Sequence, residues 1–137
     1  MSTLFINKIK MTKVEIIQMM ANHYNEDNRS VDSGDCFYAR DGKMCAVGMC
    51  MTDEAIDEFG DFMGTIHKLN AKILTEENKS FDAIFKDEYK GHDLNFWEEL
   101  QYLHDECMFW DECGLTLEGH AKVEALIKAY SDAITDQ

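Results

Sequence analysis

Over residues 36–50, CFYARDGKMCAVGMC, two short apolar runs containing Phe37, Tyr38, Met44 and Val47 flank a polar break at Asp41-Gly42. Asp-Gly between such runs specifies a two-residue type I′ turn, because both central residues of that turn need positive φ. With that turn, Arg40 pairs with Lys43, Tyr38 with Cys45 and Cys36 with Val47. Cys36, Tyr38, Cys45 and Val47 then share one face, and Phe37, Ala39, Met44 and Ala46 the other. Residues 29–31 add a possible third strand, and a sheet this small needs a helix against one face.

Around the hairpin the period changes to that of helices. Thr12 and Glu15 form a capping box, and Val14, Ile17, Met20-Ala21 and Tyr24 recur at helical spacing, which predicts a helix over residues 13–24. Thr52 is placed to cap a helix whose first turn carries Asp53 and Glu54, where negative charge suits the helix dipole. Residues 65–74 (Ile66, Leu69, Ile73) and 80–89 (Phe81, Ile84, Phe85) have the same spacing, with Gly60 and Gly64 loosening the chain before them. A second capping box, Asn95 with Glu98, precedes Leu100, Leu103 and Cys107, and Gly114 is expected to close that helix in a left-handed cap. Thr116 caps a last helix striped by Val123, Leu126-Ile127, Tyr130 and Ile134. The expected fold is α+β: one domain, residues 1–137, with a small antiparallel sheet (hairpin 36–47) packed against four to six helices.

Composition adds limits. At 137 residues, 45% hydrophobic and with two Trp, five Tyr and eight Phe, the chain has the material for one core and is too apolar for disorder. No run approaches the ~18 apolar residues of a membrane span, and the first residues lack a signal-peptide core, so a cytoplasmic location is expected. Five cysteines are an odd number, and a reducing compartment keeps them as thiols. The 27 acidic residues against 13 basic ones give a net charge of −14, which repels nucleic-acid phosphates and favours basic partners. A spread of acidic pairs most simply makes a solvated surface. The functional alternative is an acidic face shaped to occupy the nucleic-acid groove of a basic host protein, and Asp53, Glu54, Asp57, Glu58 and Asp61 are its best local candidates, since 53, 57 and 61 fall on one helix face.

Chemistry-bearing residues each meet a plain competitor. Cys45, followed by small residues, invites a nucleophile reading with His104 or His92 as base, but only Arg40 and Lys43 are nearby to stabilise a thiolate. Cys36, Cys45 and Cys50 with His104, Cys107 or Cys113 could supply zinc ligands, yet the short Cys-x2-Cys knuckles of structural zinc sites are missing. Buried small hydrophobes are the simpler account, and no metal or other cofactor is expected. No phosphate loop supports nucleotide chemistry. Phe96-Trp97, Phe109-Trp110 and Tyr102 read mainly as core, with Trp97 or Trp110 the aromatic candidates for anchoring a partner.

The order of motifs carries a resemblance. Arg29-Ser30-Val31, the Cys-x-Tyr hairpin ending in Cys45-Ala46-Val47-Gly48, Thr52-Asp53-Glu54, and the string Leu100-Gln101-Tyr102-Leu103-His104-Asp105 together resemble a family of small tailed-bacteriophage and prophage proteins, across residues 13–110. The chain departs from that pattern in a hairpin one residue shorter, in Met51-Thr52 where the family has Ile-Pro, and in the extra Cys50, Cys107 and Cys113. The resemblance implies a viral origin and a small soluble fold, and brings no activity. The function expected is therefore that of a non-enzymatic accessory protein in the host cytoplasm, binding and inhibiting a host defence or regulatory protein with a basic surface. The alternative is a binder that sequesters a nucleotide-like small molecule near Tyr38, Cys45 and His104. A cysteine- or metal-dependent enzyme is the third reading.

Overall fold

Thr12 opens the first helix as its sequence implies: its hydroxyl accepts from Glu15 N–H at 3.1 Å while Glu15 Oε1 accepts from Thr12 N–H at 2.8 Å. The computed structural model describes residues 10–25, 31–32, 35–36, 39–40, 43–62 and 65–134. Within them the helices are α1 (Lys13–His23), α2 (Asp53–Phe59), α3 (Ile66–Lys72), α4 (Leu94–Asp105) and α5 (Leu117–Ile134). α3 continues into a wide π turn, Ile73–Glu77, ended by Asn78 in the left-handed conformation at φ 54°. Short 3₁₀ turns occupy Phe81–Ile84 and Asp87–Tyr89 where the spacing predicted a longer helix.

The strands are two-residue pairs: β1 (Val31–Asp32) with β2 (Asp35–Cys36), β3 (Ala39–Arg40) with β4 (Lys43–Met44), and β5 (Trp110–Asp111) with β6 (Gly114–Leu115), all antiparallel. The fold is α+β, helices with small antiparallel hairpins. Arg40 lies opposite Lys43, the register a two-residue turn requires; Tyr38 and the turn Asp41-Gly42 lie outside the described residues. The hairpin is shorter than expected. Cys36 pairs with Val31 and not with Val47, because the chain leaves β4 at Cys45 and winds through a 3₁₀ turn, Gly48–Cys50, that buries Cys45, Ala46, Val47 and Cys50.

The start and end of α4 also differ from the sequence pattern. The helix begins two residues earlier than the Asn95 capping box requires, with Asp93 as its N-cap, and this places Phe96, Trp97, Leu100, Leu103 and His104 on one buried face. It ends at Asp105, well short of Gly114. The chain turns back there, and the Trp110 indole N–H donates to the Leu103 carbonyl at 2.8 Å, satisfying a last-turn acceptor from outside the helix. Gly114, at φ 126°, supplies positive φ to the β5–β6 hairpin instead of a helix cap. Thr116 caps α5 as expected, its hydroxyl accepting from Gly119 N–H at 3.1 Å.

Core side chains from α1 to α5 form one cluster among the described residues. α1 packs along α5, and Phe85 stacks on Trp97 with ring centroids 4.2 Å apart. A strand-like junction joins the segment before α2 to the 81–86 region: Thr52 N–H donates to Ile84 O at 2.9 Å and Lys86 N–H to Cys50 O at 3.0 Å. No helix among the described residues is long and apolar enough to cross a membrane.

Candidate functional site

Tyr24 follows the last turn of α1 and carries its ring into the core, where its hydroxyl donates to the Met44 carbonyl at 2.6 Å and contacts Met49 Sδ at 3.2 Å. The same ring meets His104 of α4 edge-on at 4.9 Å and Trp110 at 6.1 Å. His104 is fully buried, with Nδ1 2.7 Å from Asp105 Oδ1, and Asp105 also accepts from Gln101 Nε2 at 3.0 and 3.3 Å. Cys45 completes the group: its sulfur accepts from Gly48 N–H at 3.2 Å, and the Gln101 amide and the Asp105 carboxylate both act on its thiol. One helical turn of α4, Gln101 to Asp105, thus faces the exit of the hairpin and the end of α1.

Burial decides what this cluster can do. It pushes the Cys45 thiol up to about 12, an effect that the negative charge of Asp105 reinforces and that the Gly48 and Val47 amides and Gln101 oppose. Burial also raises Cys50 and Tyr24, with the neighbouring thiols adding to the effect. All three are neutral near pH 7, so Cys45 is a hydrogen-bonded core thiol and lacks the exposed thiolate that a nucleophile needs. Cys36 and Cys107 are described by backbone alone, and among the described residues no three His, Cys, Asp or Glu side chains gather into a metal-holding group. Trp97 Nε1 and Gln101 Oε1 are buried without a hydrogen-bond partner among the described residues.

The cluster reaches the surface through Asp105, 25% exposed. Together with Gln101 it lines a shallow groove of about 340 Å³ whose other walls are Thr65, Ile66, Lys68, Glu98 and Tyr102. Tyr102, expected in the core, is 45% exposed, and Lys122 sits 5.6 Å over its ring. Trp97 and Trp110 keep to the core reading. Both are buried, Trp97 against Phe85 and Phe96 and Trp110 on the Leu103 carbonyl, so neither presents a surface to a partner.

The acidic candidates lie elsewhere. Thr52 Oγ1 accepts from Ala55 N–H at 3.1 Å and starts α2, which buries Ala55 and Phe59 and turns Asp53, Glu54, Asp57 and Glu58 outward, with Asp61 exposed just beyond its end. Asp53, Glu54, Asp57 and Asp61 make no ion pair among the described residues. Glu58 meets the Glu77 carboxyl, a contact that holds its pKa above the usual range, while Lys79 and Lys72 pull it down. The acidic face and the buried cluster are therefore separate. The sequence pattern located α2 and His104-Asp105, but gave no sign that Tyr24 and Gln101 join Cys45, since these residues meet only through long-range packing.

Comparison with known proteins finds no matching family model, curated protein or solved structure.

Proposed function

We propose that this is a phage-encoded, non-enzymatic accessory protein of the host cytoplasm that binds and inhibits a host defence or regulatory protein through its acidic α2 face. The observation that carries the reading is the set of four outward carboxylates, Asp53, Glu54, Asp57 and Asp61, without an ion-pair partner among the described residues, on a chain of net charge −14. Exposed acidic groups without neutralising lysines raise the local negative potential, which speeds encounter with a basic surface and repels nucleic acid. The buried, protonated Cys45 supports a binding role over thiol catalysis.

The test is capture of partners from host lysate by the wild-type chain and by a variant with Asp53, Glu54, Asp57, Glu58 and Asp61 changed to their amides. A specific partner held by wild type, lost by the amide variant and lost as the Debye length falls from roughly 30 to 8 Å, supports the reading. Equal capture by both proteins at high salt reduces the acidity to a solubility device. A second reading, a pocket for a nucleotide-like molecule, draws on the groove beside His104, where Tyr102 offers a ring for stacking and Lys68 a cation. Ligand-induced shifts at Tyr102 in a nucleotide titration would favour it.

A further inference from the structure

His92 precedes α4 and is held at both nitrogens: Nε2 lies 2.8 Å from the Met11 carbonyl and Nδ1 lies 3.3 Å from Lys13 Nζ. A carbonyl only accepts and an ammonium only donates, so the two contacts together require a neutral ring with its proton on Nε2. Met11 is tied a second time through its own N–H, which donates to Glu88 O at 2.8 Å. The lead-in to α1 is thus clamped to residues 88–92.

The surroundings of the ring are crowded with charge. Lys13 lies 5.7 Å from the Phe96 ring centroid and 6.0 Å from that of Tyr130 of α5, and 3.8 Å from the Asp93 carboxylate. Phe96 and Trp97 of α4 flank the imidazole, with centroids at 5.1 and 6.0 Å. Asp82 and Asp93 favour a positive ring, but Asp93 is shared with Lys13 and Asp82 accepts from Gly91 N–H at 2.9 Å. Tyr130 is engaged with Glu99 at 2.9 Å. A proton on Nδ1 would remove the acceptor for Lys13 and set two cations against each other.

We propose that the His92–Lys13–Met11 contact is a proton-operated latch, closed at neutral pH and opened under mild acid, that controls attachment of the α1 lead-in to the α4 side of the molecule. Burial lowers the affinity of the closed ring for a proton and Lys13 works in the same direction, outweighing the Nε2–H bond to Met11 O, which both forms of the ring can make and which opposes them. An opened His92 takes up its proton near the ordinary value of about 6.5, so closure is at full strength above that pH and weakens as pH falls below it. As pH falls to 5.5 the ratio of open to closed rises, with about tenfold as the upper limit set by a ring that cannot take a proton while closed.

Hydrogen exchange at the Met11 amide, corrected for intrinsic rate, measures the latch in the full chain. In wild type its protection is expected to fall between pH 7.5 and 5.5, by up to about tenfold, while the Ala55 amide of α2 keeps its protection. His92→Gln retains an N–H for Met11 and an acceptor for Lys13 without a titrating group, and its Met11 protection should stay flat. A flat wild-type profile, or an equal fall in His92→Gln, overturns the proposal. Should His92→Gln fail to fold, the wild-type His92 ring titration decides: a midpoint below 6.5 supports the latch, and one at or above 6.5 overturns it.

Discussion

The acidic face of α2 and the cluster around His104 both concentrate polar and titratable groups, yet the two regions handle them in opposite ways. On α2 the carboxylates point to solvent, and only Glu58 is crowded, against Glu77. Around His104 the polar groups bond within the protein, Tyr24 to Met44, His104 and Gln101 to Asp105, Cys45 to Gly48, and all but the groove-lining Gln101 and Asp105 are buried. Solvent screens the first set, so its charges add little to stability and remain usable for long-range attraction. At Tyr24, Cys45 and His104 no water can replace a lost partner, so these residues hold the hairpin exit, α1 and α4 together.

The largest expected effect falls on the buried side. His104→Ala should destabilise the protein by about 3 kcal/mol, through the space left beside the Tyr24 ring and through the loss of the Asp105 hydrogen bond. Denaturant unfolding measures it, and a loss of only a few tenths would mean that the cluster is not structural. Cys45→Ser comes next, at about 2 kcal/mol, because a hydroxyl needs a better-satisfied site than a thiol does. The same burial should protect Cys45 and Cys50 from alkylation at pH 8 in the native protein while the exposed Cys113 reacts, as peptide mass spectrometry would show.

The surface side should respond less. Thr52→Ala removes the side-chain cap of α2 and is expected to cost about 1 kcal/mol. Because that cap orients the acidic face, the variant also asks whether partner binding needs an ordered α2 or only its charge. The smallest stability effect belongs to the amide replacements at Asp53, Glu54, Asp57, Glu58 and Asp61, which should leave the thermal midpoint unchanged within error while weakening salt-dependent capture. A large drop in the midpoint would erase the contrast between the two regions.

Local chemistry was enough to locate several elements. Thr12 with Glu15, Thr52, and Thr116 each bring the acceptor a helix N-terminus needs within three residues, so α1, α2 and α5 start where the sequence places them. The Arg40–Lys43 register also follows from neighbouring residues alone. The stripes Ile66, Leu69, Ile73 and Phe81, Ile84, Phe85 identified buried positions, although the second adopts short 3₁₀ turns instead of a continuous helix.

What tertiary structure decided involves partners far apart in the chain. Asn95 and Glu98 have the residue types of a capping box, but α4 starts at Leu94, with Asp93 as cap and the aromatics on its buried face. Gly114 has the type of a helix terminator, but the indole of Trp110 reaching back to Leu103 ends the helix sooner. Tyr102 and Trp97 lie five residues apart on α4, and packing with Phe85 decides which of them is buried. Likewise Cys45, His104 and His92 are ionisable types in the sequence. Whether each is exposed, buried or locked in one tautomer depends on Tyr24, Gln101, Met11 and Lys13, because burial and hydrogen-bond partners, set only when the chain is folded, fix protonation.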